Sequence, residues 1–212
     1  MSKTQGRQPD SVGREGRTLS DCAAEFTREH IQQVAAERVS TGFPALDRSL
    51  NGGLSNGLYV LGAVPGLGKS TLALQIAYNL SAQGIPVLYF ALEMNRAWIT
   101  AKSICRADFL RSHRVGVPAA DLLDIRKTRN FSEEEWSRIN QAREDIAREG
   151  ANLYLYEQGP NLTHIGHIQE HIQACQAAHS EQYGGRPLMV VVDYLQILAP
   201  RDCLLKASDK QI

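Results

Sequence analysis

Residues 62–71 read Gly-Ala-Val-Pro-Gly-Leu-Gly-Lys-Ser-Thr, and they constrain this chain more than any other segment. A short apolar run at residues 58–61 precedes them, and a helical apolar pattern follows at residues 72–80. A strand, a glycine-rich turn and a helix in this order form the context in which a backbone loop binds phosphate. The sequence therefore predicts an α/β domain with a nucleotide site at this turn.

Each polar or flexible residue of this turn has an expected task. Gly66 and Gly68 lack a Cβ, so backbone N–H groups can surround phosphate oxygens at the start of the helix. Lys69 is expected to reach the β- and γ-phosphates, and Ser70 to offer its hydroxyl to Mg²⁺. The predicted nucleotide-binding residues are Ala63, Val64, Pro65, Gly66, Leu67, Gly68, Lys69, Ser70 and Thr71.

The turn departs from the strict phosphate-loop pattern at one position. Ala63 stands where that pattern has glycine, and Gly62 comes one step earlier. The alternative interpretation is a chance glycine-rich turn. The apolar run before it and the helical pattern after it favour the phosphate loop.

Composition limits the class of protein. With 212 residues, of which 43% are hydrophobic, the chain can form one ordinary domain with an appendage. Lysine plus arginine equals aspartate plus glutamate at 23 each, so any contact with DNA must be local. The cysteines (Cys22, Cys105, Cys175 and Cys203) are scattered without a C-x-x-C pair, and we find neither a membrane span nor a secretory signal. We therefore expect a cytoplasmic protein with reduced thiols.

The N-terminal part divides into two predicted segments. Residues 1–19 are polar and contain glycine and proline, which indicates a disordered leader. Residues 20–39 are predicted to form one helix capped by Ser20, with an apolar stripe at Ala23, Phe26, Ile31 and Val34. This helix either packs on its own domain or acts as a linker that docks on a neighbouring subunit. Residues 40–212 form the main domain.

Three more apolar runs predict buried parallel strands, at residues 87–92, 153–156 and 188–192. Asp193 comes at the carboxyl end of the last run, where an acidic residue can hold the water shell of Mg²⁺. Glu93 comes at the end of the first run. Glu93 either activates a water molecule beside the phosphates or is a solvated loop residue.

Helical patterns fill the intervening segments. They cover residues 98–110 and 119–125, and a capping box of Ser132 and Glu135 begins a further helix that stops at Gly150. Asn161 is expected to cap another helix, whose core positions are Leu162, Ile165, Ile168, Ile172 and Cys175.

Two polar patterns are assigned to the surface. Arg106, Arg111, Arg114, Arg126, Lys127 and Arg129 alternate with aspartates, which favours a solvated face over a nucleic-acid patch. His167 and His171 match an H-x-x-E-H zinc pattern, with His164 nearby. A catalytic zinc needs a third protein ligand, which the sequence does not nominate, so we interpret the three histidines as surface residues.

Four motifs together carry a family resemblance. They are Thr41-Gly42 with Leu46-Asp47 and Gly52-Gly53-Leu54, then Ala63 to Ser70, then Ala91-Leu92-Glu93-Met94, and finally Asp193-Tyr194-Leu195-Gln196. From Thr41 to Leu198 the sequence resembles the RecA-like ATPase domain of DnaB-type replicative helicases. Alanine at the position of Ala63 is common in that family, so the departure noted above supports the resemblance.

The resemblance implies a fold, cofactors and partners. The fold would be a RecA-like P-loop domain with a mostly parallel sheet flanked by helices, and the cofactors would be ATP and Mg²⁺. Glu93 would be the general base, and residues 20–39 would correspond in position to the linker helix. The implied assembly is a homohexamer that moves along single-stranded DNA, with a primase or loader as a further partner.

The family's ATPase core continues past the last motif with a sensor residue and an arginine finger. Residues 201–212 are too few to contain these elements, so we expect a domain that is incomplete at its C-terminus. The leading prediction is an ATP-dependent DNA helicase domain. The alternatives are a RecA-type or clock-type ATPase and a non-catalytic nucleotide-binding module that joins a helicase ring.

Overall fold

Three parallel strands form the sheet: β1 (Val87–Ala91), β2 (Leu153–Glu157) and β3 (Met189–Asp193), in the spatial order β2-β1-β3. The structure is a computed structural model that describes residues 18–36, 38–157, 165–183 and 187–194. In the register of the sheet, Ala91 lies opposite both Glu157 and Asp193. Acidic residues on the two outer strands therefore end at the same edge of the sheet.

The described part of the chain also contains helices. In chain order they are α1 (Leu19–Glu25), α2 (Arg28–Ala36), α3 (Pro44–Ser49), α4 (Lys69–Ala82), α5 (Arg96–Ser112), α6 (Ala119–Leu122), α7 (Ile125–Thr128), α8 (Glu133–Glu149) and α9 (Ile165–Tyr183). Of these, α4, α5 and α9 contribute buried residues that pack against the sheet. No helix among the described residues has the length and apolar character needed to cross a bilayer.

The central strand β1 divides its side chains between two helical layers. Val87, Tyr89 and Ala91 pack with residues of α4 and α5, among them Leu74, Ala77, Leu80 and Ile99. Leu88 and Phe90 face the opposite layer together with Leu92, which follows the strand, and there Ile168 and Cys175 of α9 are buried. All of β1 is buried, as its uninterrupted apolar sequence predicted.

The prediction of a strand at residues 58–61 is wrong. These residues adopt neither helix nor strand, and the side chains of Leu58 and Val60 are 91% and 81% exposed. A strand is stabilised by pairing and burial more than by its own sequence. In the described part of the chain, no neighbouring strand pairs with this segment.

The N-terminal helical region differs from the prediction in its start and its continuity. Thr18, not Ser20, caps α1, because Thr18 and Asp21 form a capping box that satisfies backbone donors reciprocally. Thr27 interrupts the expected single helix, since its hydroxyl accepts a 3.3 Å hydrogen bond from the backbone N–H of His30. The side chains of residues 18–32 are exposed, so this part does not pack on its own domain.

Other local predictions are confirmed. Ser132 and Glu135 form the expected capping box of α8, which ends at Gly150. In α9, Ile168 and Cys175 are buried as predicted. The prediction of Ile165 as a core position is wrong, because Ile165 is 47% exposed in the first turn.

Several predictions fall outside the described residues: the leader at 1–17, Asn161, Leu162, His164, Gln196, Cys203 and the tail at 201–212.

The basic stretch is mostly a solvated face, as predicted. Arg111 pairs with Asp145, and Lys127 lies 2.6 Å from Asp121. Arg106 differs, because it donates a 2.8 Å hydrogen bond to Asn79 and lies over the ring of Tyr78. Arg106 therefore helps to join α5 to α4.

Candidate nucleotide-binding site

The glycines of the predicted phosphate loop adopt backbone conformations that require glycine. Gly66 has φ of +81° and Gly68 has φ of +87°, and Gly68 is the N-cap residue of α4. Side chains with a Cβ are strained in this region of φ. Residues 62–68 are exposed, so the loop and the first turn of α4 are open to a ligand.

Lys69 is the first residue of α4, and its side chain folds back over the loop. The ammonium group donates to the carbonyl oxygens of Ala63 and Val64, at 3.0 and 3.4 Å. A second cation lies nearby, since Nζ of Lys102 is 3.5 Å from the hydroxyl of Thr71. This edge of the loop is therefore electropositive, which suits an anionic ligand.

Ser70 and Asp193 meet where α4 begins and β3 ends. The Ser70 hydroxyl donates a 2.9 Å hydrogen bond to Oδ1 of Asp193, and Asp193 is 7% exposed. The alternation of β3 places Asp193 on the face of the sheet that packs on α4. The structure thus brings together the two residues that the sequence predicted as metal ligands.

Tyr89 completes this cluster from the central strand. Its hydroxyl donates a 2.8 Å hydrogen bond to Oδ2 of Asp193, and the residue is fully buried. Burial and the neighbouring Asp193 carboxylate raise the pKa of Tyr89, so the phenol stays protonated and remains a donor. Each oxygen of the Asp193 carboxylate therefore has its own hydroxyl donor.

Glu93 lies on an anchored turn beyond β1, and its own side chain is exposed. The preceding residue, Leu92, donates its backbone N–H to the carbonyl of Asp193 at 2.7 Å. On the other side, Glu157 accepts hydrogen bonds from the backbone N–H and the guanidinium of Arg96, at 2.9 and 2.7 Å. The pKa of Glu157 is lowered by Arg96, which keeps this bridge charged.

The oxygen donors of the cluster fit Mg²⁺. Hydroxyl and carboxylate oxygens are hard ligands, and Mg²⁺ usually takes only one or two of them, with water and phosphate completing its octahedral shell. Among the described residues there is no group of three or more His, Cys, Asp or Glu that could hold a metal ion, and a Mg·nucleotide site does not need one. A separate cavity of about 220 Å³, lined partly by Asp108 and Arg138, contains none of the predicted site residues.

The polar contacts of Tyr89 and Lys102 and the Arg96–Glu157 bridge were not predicted from the sequence. The sequence signal that could have indicated the Tyr89 contact is that Tyr89 carries the one polar side-chain group of β1. A buried tyrosine hydroxyl usually has a hydrogen-bond partner.

His171 was also wrongly predicted to be a surface residue. Its ring stacks on Tyr156, with 4.7 Å between centroids, whereas His167 is partly exposed beside Glu170.

Known proteins with sequences similar to this chain include DNA helicases. The family described as "DnaB-like helicase C terminal domain" matches residues 38–211. The replicative DNA helicase DnaC of Bacillus subtilis (strain 168) is 26% identical over 178 residues, which cover 81% of this chain and 35% of that protein. The chain thus spans about a third of the length of this relative.

A second group of relatives matches a shorter segment. The DNA repair protein RadA of Campylobacter jejuni is 42% identical over 83 residues, or 39% of this chain and 18% of that protein. Among solved structures, an ATPase domain matches with a TM-score of 0.66 and 22% identity, covering 89% of this chain and 61% of that one. The predicted RecA-like α/β fold is therefore confirmed.

Proposed function

Because this chain belongs to the DnaB-like helicase C-terminal domain family, we propose that it is the ATPase domain of a replicative DNA helicase, which binds and hydrolyses Mg·ATP. The observation that carries the proposal is the hydrogen bond from Ser70 to Asp193. It joins the start of the phosphate-loop helix to an acidic strand end, which is the arrangement that a Mg·nucleotide site requires.

In this proposal each residue of the site has one task. The backbone N–H groups around Gly66 and Gly68 surround the phosphates, and Lys69 turns from the loop carbonyls to the β- and γ-phosphates. Ser70 and Asp193 would hold Mg²⁺, which would supply positive charge against the developing charge of the transferred phosphoryl group. Glu93 accepts a proton from the attacking water, since its carboxylate is exposed on an anchored turn.

The proposed assembly is a homohexameric ring that moves along single-stranded DNA in the cytoplasm, with a primase or a loader as a further partner. Membership of the helicase family supports this proposed assembly and its partners. The exposed side chains of residues 18–32 also support it, because a linker segment that docks on a neighbouring subunit must keep its apolar residues available. The side chains concerned include Phe26 and Ile31, which are 66% and 49% exposed.

A DNA repair ATPase is the second candidate function. The observation that favours it is the identity of 42% with RadA, which is higher than the identity with the helicase DnaC but is confined to 83 residues. Unwinding of a forked DNA substrate with ATP supports the helicase function. ATP turnover without unwinding favours the repair ATPase or a module that only joins a ring.

Isothermal titration calorimetry of Mg·ATP tests the nucleotide site itself. The chain is expected to bind Mg·ATP, and Lys69→Ala is expected to abolish this binding because it removes the cation proposed to contact the β- and γ-phosphates. Lys69 is half-buried, but its ammonium contacts only carbonyl oxygens of the exposed loop, so the fold should stay intact. Lys127→Ala is the matched control, since it removes the same charge from a surface pair with Asp121. Unchanged affinity in Lys69→Ala would contradict the assignment of the phosphate loop.

A further inference from the structure

A tyrosine lies inside the buried strand next to the proposed metal site. Tyr89 is the central residue of β1, and it is 0% exposed. Its ring belongs to the apolar cluster between the sheet and α4, so an aliphatic or phenyl side chain would satisfy packing there. The hydroxyl is therefore an addition that packing does not require.

That hydroxyl fixes the rotation of the Asp193 carboxylate. Tyr89 holds Oδ2 at 2.8 Å, while the Ser70 hydroxyl contacts Oδ1 at 2.9 Å. The two donors come from different elements, β1 and α4, and they engage opposite oxygens of one group. Oδ1 is thereby turned toward Ser70 and the phosphate loop, and Oδ2 is turned into the core.

We propose that Tyr89 is a positioning residue that orients Asp193 and thereby sets the Mg²⁺ concentration at which the nucleotide binds. The proposal rests on the nucleotide site proposed above. Hydrogen bonds that orient a metal-binding carboxylate strengthen metal binding, and their loss typically lowers metal affinity by about 10- to 100-fold. Without the phenol, Oδ2 would lack its donor inside the core and the carboxylate could rotate away from Ser70.

The test compares Tyr89→Phe with wild type in titrations of Mg²⁺, with binding of a fluorescent ATP analogue as the signal. Tyr89→Phe keeps the ring in the core and removes only the hydroxyl. We expect the Mg²⁺ concentration for half-maximal binding to rise by about tenfold. Binding of the analogue in excess EDTA and the urea midpoint of unfolding should stay close to wild type.

Tyr78→Phe is the matched control. It removes the hydroxyl of another buried tyrosine, which lies in α4 and is 5% exposed, and it should leave the Mg²⁺ titration unchanged. An unshifted titration in Tyr89→Phe overturns the positioning role. An equal loss of binding with and without Mg²⁺, or a large fall in the urea midpoint, also overturns it, because the hydroxyl would then act on the fold.

The outcomes separate this inference from the function on which it rests. If the wild-type chain binds the analogue without dependence on Mg²⁺, the proposed Mg·ATP site fails and the role of Tyr89 falls with it. If wild type depends on Mg²⁺ and Tyr89→Phe does so at the same concentration, only the role of Tyr89 fails.

Discussion

Ser70 donates a hydrogen bond of 2.9 Å to Oδ1 of Asp193, although 123 positions separate the two residues in the chain. Ser70 is fixed by the first turn of α4, and Asp193 by its pairing opposite Ala91 of β1. The contact therefore exists only when β3 has joined the sheet and α4 has packed on it. Formation of the proposed metal site and completion of the core are thus the same structural event.

The role of Glu93 can be separated from nucleotide binding. In Glu93→Gln we expect wild-type affinity for Mg·ATP, because the side chain is exposed outside the phosphate loop. Hydrolysis should fall by about 10²-fold or more if the carboxylate is the general base. Steady-state phosphate release, under conditions in which the wild-type chain turns over ATP, measures this loss.

Glu144→Gln provides the control for that experiment, since Glu144 lies on the exposed face of α8. It removes the same charge and should leave both affinity and turnover unchanged. Retained turnover in Glu93→Gln would return Glu93 to the alternative interpretation of a solvated loop residue.

The elements that the sequence predicted correctly are those whose signals are local. The start of α8 follows from Ser132 and Glu135, which cap each other within one turn, and β1 follows from an apolar run that is buried on both sides. Residues 58–61 have a similar apolar run, but no strand pairs with them in the described structure. The apolar pattern alone therefore led to the wrong prediction of a strand.

Contacts between neighbouring strands of the sheet could not be predicted from the sequence. The hydroxyl of Tyr89 finds its acceptor 104 positions later, and that distance is closed only by the register of β1 with β3. The spacing of residues along the chain contains no information about this register. The phosphate loop, Glu93 and Asp193 could be nominated as site residues because a glycine-rich turn or the end of an apolar run marks each of them in the sequence.

The ion pair of Arg138 with Asp108 is expected to stabilise the fold. Nε and Nη2 of Arg138 donate to the two oxygens of Asp108 at 2.9 and 2.6 Å, and Asp108 is only 5% exposed. Arg138→Met should lower the free energy of unfolding by about 2 kcal/mol, less than for a fully buried pair because 23% of the Arg138 side chain is exposed. Urea denaturation measures the change.

Arg148→Met is the matched variant in the same helix. The Arg148 side chain is 69% exposed, and its pair with Asp145 is screened by solvent, so little or no loss of stability is expected. Equal losses in the two variants would contradict the distinction between the buried and the exposed pair.

Asp145 should contribute stability that depends on pH. Hydrogen bonds from Arg111 and then from Arg148 hold the pKa of Asp145 below its ordinary value of 3.8. The folded state therefore binds the proton more weakly than the unfolded state, and the stabilisation is complete above the unfolded pKa and lost as pH falls through the folded pKa.

Asp145→Asn tests this dependence by urea denaturation between about pH 7 and about pH 3. The wild type should be more stable than the variant at the upper end, and the difference should shrink as the solution is acidified below the unfolded pKa. Added salt should also reduce the difference at neutral pH, because the pair is near the surface. A difference that is constant with pH would show that Asp145 acts through packing instead of charge.

Gly53 is expected to tolerate a side chain poorly. Its φ is +126°, and a Cβ there would lie 2.3 Å from the carbonyl oxygen of Val39. That carbonyl accepts the backbone N–H of Leu54 at 2.7 Å, so the clash falls on the bridge between Val39 and Leu54. Both of these side chains pack against the core beside α4.

Gly53→Ala should therefore combine backbone strain with loss of the bridge, and we expect it to lower the free energy of unfolding by about 2 kcal/mol or more. Gly57→Ala is the control, because a Cβ at Gly57 meets nothing within 4 Å and no positive φ is required there. It should be neutral or slightly stabilising, since alanine restricts the unfolded chain. Thermal unfolding of both variants measures the contrast, and a Gly53→Ala variant as stable as Gly57→Ala would mean that the segment before the phosphate loop can shift away from Val39 without cost to the core.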